Sequence, residues 1–117
     1  MELKKLADIL EAKVVCGDAL LNRDIEMVCG SDLMSDVLAF VKSDALLLTG
    51  LINSQVVRTA EMSEIAAICF VRGKIPQEET TQLAKEKNIP LLATTLSMFE
   101  SCGKLHKSGL HGCDEIK

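Results

Sequence analysis

The chain has 117 residues, 48% of them apolar, which fits one domain with a real hydrophobic core and excludes disorder. Only 3% are aromatic, with no Trp and no Tyr, so the core is aliphatic and a stacking platform for single-stranded nucleic acid is excluded. The net charge is −4, no Lys/Arg run tracks phosphates and no apolar stretch has membrane-spanning length, so neither nucleic acid nor a membrane is an expected partner.

The first segment, "ELKKLADILEA", places Leu3, Leu6, Ile9 and Leu10 at helical spacing with charges opposite. It has no signal-peptide apolar region, so a cytoplasmic location is expected. "KVVCG" reads as a short strand ending in Gly17. In "NRDIEMVCGS" the alternation at Ile25, Met27 and Cys29 predicts a half-exposed strand. Ser31 or Asp32 then caps a helix over "DLMSDVLAFVK". From Asp44 onward strand and helix alternate. "ALLLTG" and "IAAICFVRG" are continuous apolar runs, as in parallel strands covered on both faces. Between them "NSQVVRTAEMSE" predicts a crossover helix with Asn53 or Ser54 at its N-cap and Val56, Val57 and Ala60 inward. "IPQEETTQLAKEKNIP" predicts the next helix: Pro76 at its first position, Glu78 and Glu79 at the positive end of the dipole, Lys85 and Lys87 at the negative end, and Asn88 closing it in a left-handed conformation. "PLLATT" is the following strand and "LSMFESCGKLHKSG" the last helix, with residues 113–117 as a loose tail. The expected architecture is a single three-layer α/β domain, 1–117, with a mostly parallel sheet. Its core includes Leu46, Leu48, Ile65, Ala67, Ile68, Phe70, Leu91 and Leu92.

Ligands of open parallel sheets bind beyond the carboxyl ends of the strands. Three such ends are readable: Thr49-Gly50, Arg72-Gly73-Lys74 and Thr94-Thr95. With Asn53 they form the candidate ligand-binding set. They offer hydroxyls, flexible backbone, two cations and helix N-termini to a phosphate or carboxylate. Equally, Thr and Gly close tight turns and the cations are solvated. Neither G-x-x-x-x-G-K-[ST] nor G-x-G-x-x-G is present. Without the phosphate-loop lysine, hydrolysis or phosphoryl transfer has little support, no residue is placed as catalytic, and no cofactor is expected.

Two further groups carry metal-ligand chemistry. Asp32 and Asp36 stand one helical turn apart, a pair for a divalent cation or simply a cap and a solvated face. Cys102 and His106 share a helix face, and His111 and Cys113 follow a glycine turn. All four are zinc-ligand types, but their spacing matches no common zinc module, and no metal is expected. Five cysteines without framework spacing read as reduced thiols, with Cys69 in the core.

The order of elements, and the phrase "AEMSEIAAICFVRGK" within "SDLMSDVLAF…LLLTGLINSQVVRTAEMSEIAAICFVRGKIPQEETTQLAKEKNIPLLATTLSMFE", resemble a DRTGG domain over roughly residues 1–113. That module is related in fold to the N-terminal domain of HPr kinase. It also occurs within phosphate acetyltransferases and CBS-containing pyrophosphatases. Here Thr49-Gly50 and Arg72-Gly73-Lys74 stand where typical members carry an Asp-Arg and a Thr-Gly-Gly element. The resemblance implies a non-catalytic regulatory or dimerising module. Stand-alone members are often found near iron-only hydrogenase genes, which implies a redox or fermentative setting. The primary expectation is therefore a homodimeric regulatory domain that senses an anionic small molecule, such as a nucleotide or phosphorylated metabolite. The alternatives are a metal-binding or redox-sensing protein partner using the C-terminal Cys/His cluster, and a small enzyme acting on a phosphorylated metabolite.

Overall fold

The computed structural model describes residues 1–113. In chain order the elements are α1 (Leu3–Ile9), β1 (Lys13–Cys16), a 3-10 turn (Asp18–Leu20), β2 (Met27–Gly30), α2 (Met34–Phe40), β3 (Leu46–Thr49), α3 (Ser54–Met62), β4 (Ala67–Phe70), α4 (Glu78–Glu86), β5 (Leu91–Ala93), α5 (Met98–Lys107) and β6 (His111–Gly112). The six strands form one sheet in the order β1-β5-β4-β3-β2-β6. The four inner strands and β6 run parallel, and β1 alone is antiparallel, on β5.

Residues alternate between two cores. Leu46, Leu48, Cys69 and Leu92 face the layer of α1 and α5, packing with Leu3, Leu6, Leu10 and Leu105. Leu47, Ile68, Phe70 and Leu91 face α2, α3 and α4, packing with Val37, Val56, Val57, Ala60 and Ala84. The uninterrupted apolar runs thus follow from burial on both faces. Every residue of the expected core is buried.

Helix ends follow a common design. Ala12, Ile65, Ile89 and Leu110 each donate their N–H to the carbonyl five residues back, at 2.9–3.2 Å. The preceding residue is left-handed in each case: Glu11 (φ 54), Glu64 (φ 55), Asn88 (φ 56) and Gly109 (φ 102). This Schellman geometry satisfies terminal carbonyls and aims a hydrophobic residue back at the core.

Several local expectations are corrected. Neither Ser31 nor Asp32 caps α2: Leu33 holds the N-cap position without a side-chain bond. Ser31 instead accepts the Leu33 N–H at 3.0 Å, and Asp32 reaches a different strand. Pro76 is not the first residue of α4, because Gln77 is the N-cap and the helix starts at Glu78. Asn53 does cap α3, its side chain accepting the Gln55 N–H at 3.1 Å. Of the segment expected as a tail, Cys113 is buried and 114–117 lie outside the described residues.

Candidate functional site

Three of the inner parallel strands, β3, β4 and β5, end at one edge. The end of β3 is closed from within. Thr49 is fully buried, and its Oγ1 donates to Asp32 Oδ1 at 2.9 Å while accepting the Leu51 N–H at 3.2 Å. The same Asp32 oxygen accepts the Gly50 N–H at 2.7 Å. A carboxylate of the chain therefore occupies the place that an external anion would take on Thr49 and Gly50. Asn53 lies beyond this turn and is engaged as the α3 cap.

The ends of β4 and β5 are stapled together. Arg72 (φ 59) and Gly73 (φ 71) are consecutive left-handed residues that reverse the chain. Arg72 donates its N–H to Leu96 O at 2.7 Å, and Gly73 to Thr94 O at 2.9 Å. Thr94 is buried; its hydroxyl donates to Leu10 O at 2.6 Å and accepts the Leu96 N–H at 3.2 Å. The N–H groups of Gly50 and Gly73 are thus committed internally.

Gly73, Lys74, Thr94 and Thr95 line one depression of about 220 Å³, joined by Glu11, Lys13, Ile75 and Ala93. Thr49, Gly50, Asn53 and Arg72 lie outside it. Lys13 reaches this edge because β1 runs antiparallel, which sets Lys13 opposite Ala93. Glu11 is the left-handed residue that ends α1 and faces Lys104 at 3.8 Å. Neither Lys13 nor Lys74 makes an ion pair among the described residues. Lys13, Lys74 and Thr95 therefore border one depression whose lining is mostly apolar, with the Glu11 carboxylate partly answered by Lys104. Lys13 and Glu11 were missed in the sequence, where nothing local reports the direction of a strand.

A larger hollow of about 450 Å³ lies at the opposite edge, with Arg23, Asp44, Glu61, Glu64 and Lys87 in its wall. Its cations hold structure: Arg23 donates to Ala66 O at 2.8 Å and Asn88 O at 2.9 Å, and Lys87 pairs with Glu61 at 3.2 Å.

The Cys/His residues are divided. Cys102, His106 and His111 line one mostly apolar depression beside α5, whereas Cys113 lines another with Asp36 and Phe40. Among the described residues no three Cys, His, Asp or Glu side chains are grouped to hold a metal. Asp32 is held at the end of β3, and Asp36 lines the depression of Cys113 and Phe40. Burial pushes the thiols of Cys16 and Cys102 up, and that of Cys69 up to about 12. Thiols so shifted are poor nucleophiles near neutral pH. Among the described residues no helix is long and apolar enough to cross a membrane.

No curated protein matches the chain. Among solved structures it is similar to the CBS and DRTGG domains of the regulatory region of Clostridium perfringens pyrophosphatase, in a crystal structure complexed with its activator, diadenosine tetraphosphate. The TM-score is 0.71 at 15% identity, covering 92% of this chain and 46% of that one, so the chain spans about half the length of this neighbour. At that identity the likeness establishes the fold. The sequence profile of the DRTGG domain matches residues 5–108. The chain belongs to the DRTGG domain family.

Proposed function

We propose that this domain is a non-catalytic regulatory module that binds an anionic small molecule, a nucleotide or phosphorylated metabolite, at the joined ends of β4 and β5. The observation that carries the reading is the placement of Lys13, Lys74 and Thr95 around one depression, with no ion pair on either amine among the described residues. At about 220 Å³ it is smaller than the ~300–1,000 Å³ typical of whole drug-sized ligands. It suits a terminal phosphate or carboxylate, with the rest of the molecule lying outward. The structural neighbour, a regulatory region complexed with a diadenosine polyphosphate, supports a regulatory role. Among the described residues no hydrogen bond joins the Thr95 hydroxyl to the Glu11 carboxylate or to either amine, so binding without turnover is the expectation. The exposed Leu33, Leu38 and Phe40 around α2 support self-association into a homodimer.

A thermal-shift screen of nucleotides, pyrophosphate and acyl phosphates tests the reading, since specific binding stabilises the native state with the logarithm of ligand excess. A stabilising hit lost in Lys74→Ala supports it. No hit across the panel, or one unchanged in Lys74→Ala and Lys13→Ala, contradicts it. Light scattering at twice the chain mass supports the homodimer, and monomer mass at all concentrations contradicts it.

A further inference from the structure

The outer face of α5 carries two features that the fold does not require. Gly103 lies in the middle of the helix, where glycine is weaker than alanine. Its φ is not in the left-handed region, and a Cβ there would meet nothing within 4 Å. Neither conformation nor crowding therefore demands glycine, and the bare backbone leaves room for close approach. One turn earlier Phe99 is 81% exposed, an aromatic ring left in water where rings usually supply burial. Both residues line the same depression of about 370 Å³, whose apolar wall includes Val28, Leu105 and Leu110 and whose rim carries His106.

We propose that this depression is a binding site for a small molecule built on a planar aromatic ring, of indole or nucleobase size. The ring lies flat on the Gly103 backbone and against Phe99, with its polar edge toward His106. A flat ring is the occupant that most needs a missing Cβ, because a side chain at position 103 would hold it off the helix. Size separates this occupant from a second copy of the chain. The volume falls within the roughly 300–1,000 Å³ of small-molecule sites. The lining is ten residues, against the roughly 20–30 per side of a standard protein interface. The site shares no residue with the depression around Lys74, so it stands or falls independently of the anion site.

The test is titration of indole into the ¹⁵N-labelled full chain. Saturable amide shifts confined to Gly103, Leu110, Gly112 and their neighbours are expected. Gly103→Leu should fill the site and weaken binding by about tenfold or more while leaving the remaining spectrum in place. Phe99→Ala, a surface change, should also weaken binding and covers the case in which Gly103→Leu fails to fold. Absence of saturable shifts, or indole binding unchanged in folded Gly103→Leu or Phe99→Ala, overturns the proposal. So do shifts of the same amides on protein dilution alone, because they would identify a second copy as the occupant.

Discussion

The strands β3 and β5 end in the same local device and use it differently. In both, a buried threonine accepts the N–H of the residue two positions on, at 3.2 Å. In both, its hydroxyl then donates to a group far away in sequence. At β5 that group is the Leu10 carbonyl, so Thr94 ties the end of α1 to the sheet. At β3 it is the Asp32 carboxylate, exposed on its other side. The first turn is a strut whose neighbours, Lys74 and Thr95, remain available. The second is a seat for negative charge that the chain fills itself. An anion approaching Thr49 would have to displace a covalently tethered competitor, whereas one approaching Lys74 meets amines without an ion pair among the described residues.

Both turns stand on one scaffold, because Leu48, Cys69 and Leu92 lie side by side across β3, β4 and β5. Leu48→Ala should therefore damage both, at a cost of ~2–5 kcal/mol read from the denaturant midpoint. A cost near zero would mean that the two turns have no common support. Cys69 gives the same scaffold a pH signature. Its folded thiol is raised from the ordinary 9.0 to about 12, so the unfolded chain loses this proton first as pH rises. This contribution should be constant below pH 9 and decline between 9 and about 12, with a limiting slope of about 1.4 kcal/mol per pH unit. Cys69→Ala should flatten that decline; an unchanged profile would assign it to other groups.

The turns themselves should separate next. Thr94→Val leaves a buried carbonyl without its donor and should cost about 1–3 kcal/mol. Thr49→Val should cost less, about 0.5–1.5 kcal/mol, since Asp32 keeps the Gly50 N–H and faces water. Equal costs would erase the distinction between strut and seat. The smallest effect belongs to Asp32→Asn, which keeps an acceptor and removes the charge. Less than about 1 kcal/mol is expected.

How far the sequence reveals these features depends on the distance over which each is determined. The inner strands are legible because burial on both faces writes itself as "ALLLTG" and "AAICFV". The α3 cap is legible because Asn53 and Gln55 are two residues apart. Asp32 is not: as the second residue of "SDLMSD" it reads as a local cap, while its partner lies 17 residues on. Lys13 is hidden for another reason. "KVVC" announces a strand but not its direction, and only antiparallel pairing with β5 carries the lysine to the carboxyl edge of that strand. The two-residue β6 is too short for any periodicity. For Gly103 the sequence does hold a signal, a glycine inside a helical pattern at "CGKLHK".

On the proposed function, an anionic ligand is taken at the joined ends of β4 and β5 and refused at the end of β3. Calorimetric titration of pyrophosphate into the wild-type chain, Lys74→Ala and Thr49→Val tests it most directly. Binding is expected that Lys74→Ala weakens by ~1.5–3 kcal/mol, the scale of a hydrogen bond to a charged group, and that Thr49→Val leaves unchanged. Binding lost in folded Thr49→Val and retained in Lys74→Ala would place the ligand on the seat that Asp32 fills and overturn the assignment to β4 and β5.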